Sequence, residues 1–212
     1  MKKASMNLPN TLSIIRVCLV PLFVFSLIFM HDIKIWGNIV PALIYIATAI
    51  TDMLDGKIAR KYNLVTDFGK FIDPLADKFM VLSAFVSILV WLSLIGKTTL
   101  AMIFLPVALI ILLRELGVTS LRLVVAGKAN IVVAASMLGK IKTVTQIVAT
   151  VVLIVEPAIS DILPFWNDVS FLAFITDNSI LSYVAMAVMT FTTVYSGIDY
   201  LKAYLPYINT NK

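Results

Sequence analysis

Four uncharged runs constrain this chain more than any other feature: Ile35 to Thr51, Phe79 to Gly96, Thr98 to Leu113 and Asn178 to Ile198. Each approaches the roughly 20 apolar residues a helix needs to cross a bilayer. A soluble core does not require so many of them. Composition agrees, at 60% hydrophobic and 14% charged residues, where soluble domains run at roughly 45–50% and about 25%. The expected fold is all-α, a polytopic membrane protein with six transmembrane helices at about 11–30, 38–60, 71–95, 98–122, 140–158 and 178–204. The second and third extend past the bilayer at their charged ends. Connections are short except the last. With no repeat, low-complexity tract or separate soluble part, residues 1–212 form a single membrane domain, with 1–10 as a short cytoplasmic or interfacial segment. The start "MKKASMNLPN" is not followed by a cleavage site of small residues after Leu19, so it reads as retained rather than as a signal peptide.

Positive charge sets the orientation. With the N-terminus inside, Lys57 to Lys78, Arg114 to Lys142 and the tail after Asp199 share the cytoplasmic face with both termini. Only Lys34 and Lys97 of the 17 Lys and Arg then lie outside. The long outer connection carries Glu156, Asp161, Asp168 and Asp177 and no base. Basic residues at one membrane face meet anionic headgroups or phosphorylated substrates, so a net charge of +5 requires no nucleic acid. Cys18 is the single cysteine, which rules out an intrachain disulfide and a thiolate metal site. The lone His31, in an outer loop, makes histidine-based catalysis a poor fit.

The cytoplasmic stretch "TDMLDGKIARKYNLVTDFGKFIDPLADK", Thr51 to Lys78, holds five aspartates between apolar segments. Ionised carboxylates there are costly. If the second span continues as a helix, Asp52, Asp55, Gly56 and Ala59 share one face. Asp73 and Asp77, four apart, share another, with Pro74 tolerable near that helix's start or at a kink. The short link Lys61 to Phe68 makes the two helices antiparallel neighbours, so that four carboxylates converge. Such a group cannot all stay ionised without positive charge among it. Oxygen-only ligands suit hard divalent cations: Mg²⁺ or Mn²⁺ best, Ca²⁺ as a further option. Two such ions about 4 Å apart are a device for phosphoryl chemistry. Gly56, Ala59 and Gly69 would admit a bulky ligand to the backbone, and Arg60 could hold a phosphate. Taken singly, each residue has a plainer reading, as a solvated acid at a helix end or a packing glycine. The joint spacing does not.

Asp52-x2-Asp55-Gly56-x2-Ala59-Arg60-x8-Gly69-x3-Asp73-x3-Asp77 resembles the signature of the CDP-alcohol phosphotransferase family at all eight fixed positions. "LPNTLSIIR", "RELGVTSLR" from Arg114 and "GKIKTVTQ" from Gly139 are similar to the members that use glycerol 3-phosphate as acceptor, so the likeness covers nearly the whole chain. The resemblance implies six spans, a homodimer and two divalent cations held by Asp52, Asp55 and Asp73, with Asp77 contributing and acting as general base. It implies that Gly56, Ala59, Arg60 and Gly69 line the cytidine diphosphate site. The implied reaction is attack of the glycerol 3-phosphate hydroxyl on the β-phosphoryl of CDP-diacylglycerol, releasing CMP. The cytoplasmic-facing aspartates and short loops point to a bacterial plasma membrane, with a mitochondrial inner membrane as the alternative. The same signature would serve another acceptor, phosphatidylglycerol or inositol phosphate. A cation transporter is a rival of a different class, but it calls for acidic residues along the depth of several spans.

An acceptor phosphate needs bases near the aspartates. Arg114, Lys140, Arg122 and Lys142 stand at the right ends of spans four and five, where the positive-inside rule alone would also put them. For Arg114 a local pair with Glu115 competes. Arg16 either snorkels to lipid phosphate or faces the site. Asn10 or Thr11 is expected to cap the first helix and Asp67 the third. Trp36, Trp91 and Trp166 fit outer interfacial belts. Pro106 is expected to kink the fourth span, and the methionines and phenylalanines to pack or face lipid.

Overall fold

A computed structural model describes residues 8–62, 67–129, 137–162 and 170–204. Among the described residues there are seven helices and no strand: α1 Leu8–Phe29, α2 Trp36–Lys61, α3 Asp67–Leu94, α4 Thr98–Ala129, α5 Met137–Ile162, α6 Ser170–Asp177 and α7 Ile180–Tyr204. All but α6 are long and apolar enough to cross a membrane, giving the six spans expected. The short α6 falls inside the one long connection. Helix α4 continues through Pro106 and past the expected end near 122, to Ala129.

The tight turns depend on two glycines. Gly37 lies so close to the Met30 carbonyl oxygen that a Cβ would collide with it. Gly96 ends α3 with φ at 77°, where only a residue without Cβ rests easily.

Packing arranges the six spans as a closed ring. In order around it, α1 touches α2, α2 touches α5, α5 touches α7, α7 touches α4, α4 touches α3, and α3 returns to α1. Helices α2 and α3 share no extended contact over their described residues, because α1 packs against both. The expectation that the two aspartate helices are direct neighbours is therefore corrected. A short link limits how far apart they can stand, but leaves room for a third helix between them.

Phe85, Ile88, Trp91 and Leu92 of α3 meet Phe104 and Ile111 of α4, Leu153 and Ile154 of α5 and Met189 of α7 inside the ring. Phe85 and Phe104 pack edge to face at 5.4 Å. Outside, Phe25, Phe71, Met102, Leu113 and Phe191 are more than half exposed, as suits contact with lipid tails. Trp91 belongs to this core at 0% exposure and not to an interfacial belt. Trp36 is 62% exposed at the start of α2, as a belt residue would be, and Trp166 lies outside the described residues.

Two helix-end expectations also change. Helix α1 is already helical at Leu8, so neither Asn10 nor Thr11 caps it, and Asn10 is buried inside its N-terminal turns. Glu156 is not in a solvated outer connection, because α5 runs on to Ile162 and buries it. Its carboxylate accepts from the Leu181 amide at 2.9 Å, the Ser182 amide at 2.8 Å and the Ser182 hydroxyl. An acid from one helix thus closes the open N-terminus of another. Asp67 does start α3, with its side chain outside the described residues.

Candidate active site

Helix α1 organises the acidic half of the site. Asn10, Ser13, Arg16, Val20, Phe23 and Leu27 recur at three- and four-residue steps and are all buried, so one face is polar in its first half and apolar in its second. The polar half reaches both aspartate helices. Arg16 Nη1 lies 2.7 Å from Asp52 Oδ1, and Ser13 Oγ donates to Asp73 Oδ1 at 2.6 Å. Of the two readings for Arg16, facing the site is the one observed: a guanidinium at 0% exposure needs an anion beside it.

Asp52 is set where charges of both signs converge. It interacts repulsively with Asp77 and Asp73, and attractively with Arg16 and Lys78. Asp52 and Asp77 line a cavity of about 530 Å³ at this end of the ring; Asp73, bonded to Ser13, does not. Asp55, Gly56, Ala59 and Arg60 continue α2 one and two turns past Asp52, with side chains outside the described residues. Gly69 is buried in the first turn of α3. No three acidic side chains stand close enough to hold an ion among the described residues, a set that lacks the side chain of Asp55. Asp52, Asp73 and Asp77 offer oxygen donors with no imidazole or thiolate among them, a donor set that suits a hard divalent cation.

The opposite wall of the same cavity is basic. Lys78, Arg114, Arg122, Lys140 and Lys142 line it together with one further acid, Glu115. Glu115, 5% exposed, is the hub of this wall: its Oε2 takes Lys78 Nζ at 2.6 Å, and its Oε1 takes Arg114 Nη1 at 3.3 Å and Lys142 Nζ. Three cations on one carboxylate leave positive charge in excess. The local pair suggested for Arg114 and Glu115 is therefore real, yet Arg114 also faces the cavity. Its Nη2 donates to Ser196 Oγ at 2.7 Å, and a Cβ on Gly197 would come within 3.0 Å of its Cγ, so glycine lets the arginine lie against α7. The Tyr200 ring receives both Arg114 and Arg122 at 5.6 Å from its centre.

Lys78 ties the two halves together. Its Nζ is 3.0 Å from Asp77 Oδ2 while it holds Glu115. Lys78 directly follows Asp77 but stands outside the aspartate spacing, so the sequence pattern carries no signal for it. Glu115 and Gln146 lie in the stretches "RELGVTSLR" and "GKIKTVTQ", where nothing in the sequence marks them as lining residues. Ser13 shares Arg16's face at i, i+3, which is the signal that could have found it.

Comparison with known proteins gives concordant results. Residues 6–195 match the family model described as CDP-alcohol phosphatidyltransferase. The chain is 39% identical over 206 residues to the CDP-diacylglycerol–glycerol-3-phosphate 3-phosphatidyltransferase of Bacillus subtilis, covering 92% of this chain and 93% of that protein. It is 36% identical over 197 residues to a probable phosphatidylglycerophosphate synthase of Mycobacterium tuberculosis, covering 92% and 80%. With a Rickettsia bellii protein bearing the same name as that of Bacillus subtilis, identity is 32% over 201 residues, covering 95% and 97%.

Proposed function

The chain belongs to the CDP-alcohol phosphatidyltransferase family, and on that premise we propose that it is the enzyme that transfers the phosphatidyl group of CDP-diacylglycerol to glycerol 3-phosphate. The products are phosphatidylglycerophosphate, which stays in the membrane, and CMP. The observation that carries this reading is one cavity with Asp52 and Asp77 on one wall and Arg114, Arg122, Lys140 and Lys142 on the other. Such a cavity accepts an anionic alcohol and presents its hydroxyl to a carboxylate.

Arg114 and Lys142, held in place by Glu115, bind the acceptor phosphate, with the more exposed Lys140 and Arg122 at the entrance. Lys78 occupies Oδ2 of Asp77, which leaves Oδ1 to take the hydroxyl proton. The acceptor oxygen bonds to the β-phosphorus as the bond from that phosphorus to the bridging oxygen of CMP breaks. Gly56, Ala59 and Gly69 leave room for the cytidine diphosphate, and Arg60 holds one of its phosphates. When bound by Asp52, Asp55, Asp73 and Asp77, two divalent cations, Mg²⁺ or Mn²⁺, supply charge stabilisation for the pyrophosphate. In this reading the polar end of the ring faces the cytoplasm of a bacterial plasma membrane. Residues 1–212 act as one catalytic domain, in a homodimer.

The test is CMP release by purified protein in detergent, from CDP-diacylglycerol plus glycerol 3-phosphate, inositol phosphate or phosphatidylglycerol, each with Mg²⁺, Mn²⁺ or chelator. The expected result is release with glycerol 3-phosphate and either metal, and none with chelator. Release with a different acceptor alone would replace the substrate but keep the chemistry. Folded protein that releases nothing would overturn the reading.

A further inference from the structure

Tyr45, Thr119, Thr143 and Gln146 are polar residues of the cavity wall with no part in binding the phosphate or taking the proton. Among them Gln146 alone carries both donors and an acceptor on a neutral amide. Gln146, 3% exposed, lines the cavity beside Met80, Val81 and Ile147, and its amide nitrogen finds no hydrogen-bond partner among the described residues. It stands one turn along α5 from Lys142, about 6 Å further into the bundle. Leaving a buried amide unpartnered is unfavourable, and a ligand that bonds to it removes that cost. Gln146 is otherwise continuous with a well-satisfied stripe, since its own backbone carbonyl accepts from Thr150 at 2.9 Å. The unsatisfied part is the buried side-chain amide of a residue that lines the cavity.

Resting on the function proposed above, we infer that Gln146 is the residue that reads the middle hydroxyl of the acceptor. A neutral amide offers one acceptor and two donors, which suits a hydroxyl that both donates and accepts. It does not compete for the phosphate, which five cations on the same wall attract more strongly. Glycerol 3-phosphate has three polar positions. Its phosphate goes to Arg114 and Lys142 and its terminal hydroxyl to Asp77, so the hydroxyl on the central carbon is the one still without a partner. Gln146 takes it, and so selects vicinal-diol phosphates over phosphates of simple alcohols.

The experiment compares kcat/KM for glycerol 3-phosphate and for 3-hydroxypropyl phosphate, which lacks only the central hydroxyl, in the full-length protein and in Gln146→Met. The native protein is expected to prefer glycerol 3-phosphate by about 100-fold, since a site built around a hydroxyl rejects the analogue without it. In Gln146→Met that preference should fall to within about threefold, through loss of glycerol 3-phosphate turnover alone. Equal losses with both substrates, or an undiminished preference, would overturn the assignment. Absence of discrimination by the native protein would overturn it without any variant. A native protein that turns over neither of these, but uses inositol phosphate or phosphatidylglycerol, would instead overturn the acceptor and this inference with it.

Discussion

Both ends of the helix ring bury charge, and they satisfy it in opposite ways. At the end away from the aspartates, Glu156 is closed by the amides of Leu181 and Ser182, and Lys97 Nζ lies 2.8 Å from Ser179 Oγ and 3.4 Å from the carbonyls of Thr176 and Asp177. One acid sits on a helix N-terminus and one base on a helix C-terminus, as the helix dipoles favour. Glu156 and Lys97 are thus each closed by neighbouring helix ends. At the aspartate end, charges are paired mainly with charges from other helices, and five bases face three acids around an open cavity. Charge closed by backbone holds a fold together, whereas charge left in excess around a cavity waits for a partner.

If that contrast is right, substitutions at the two ends must fail differently. The largest effect belongs to Asp77→Asn: a loss on the order of 1,000-fold in kcat, as for removal of a general base, with little change in melting. Lys78 remains anchored on Glu115 in that variant, so the cavity keeps its shape. CMP release and a thermal melt on one preparation check both halves, and near-native turnover would remove Asp77 from its role. Next comes Glu156→Ala, which strands the buried Ser182 amide and the part-buried Leu181 amide and should lower stability by on the order of 3 kcal/mol. Its kcat/KM, measured well below the melting point, should match the native value; a large loss of turnover there would break the comparison. The smallest is Lys142→Met, expected to raise the KM for glycerol 3-phosphate about tenfold while that for CDP-diacylglycerol stays put. Glu115 keeps Lys78 and Arg114 in that variant, so a structural collapse is not its expected outcome.

The six spans were legible because length and apolarity act within one segment, and the aspartate signature because its spacing is local to two helices. The basic residues were legible as a set, yet their hub was not. Glu115 looks like the neighbour of Arg114 in sequence, and only packing brings Lys78 and Lys142 to it. Periodicity reports which face of a helix is buried and is silent on what that face meets. For that reason α1 between α2 and α3, Trp91 in the core and Glu156 on the end of α7 all had to come from the structure. Gln146 was hidden for a related reason: an amide that lacks a partner cannot be told in sequence from one that has found it.

The insertion of α1 between the two aspartate helices has a consequence for biogenesis. Helix α1 carries Arg16 and Ser13 on its inner face, and within its own length it offers them no anion. Their partners, Asp52 and Asp73, arrive only with the next two spans. Arginine and serine therefore make the opening helix poorly settled by itself, and the aspartates quiet it as they are themselves brought to one place. Helix association in lipid lacks a hydrophobic drive and relies on such polar contacts. The first three spans are thus expected to assemble as a unit, ahead of the rest, with the acidic half of the site built at the moment the membrane domain begins to fold.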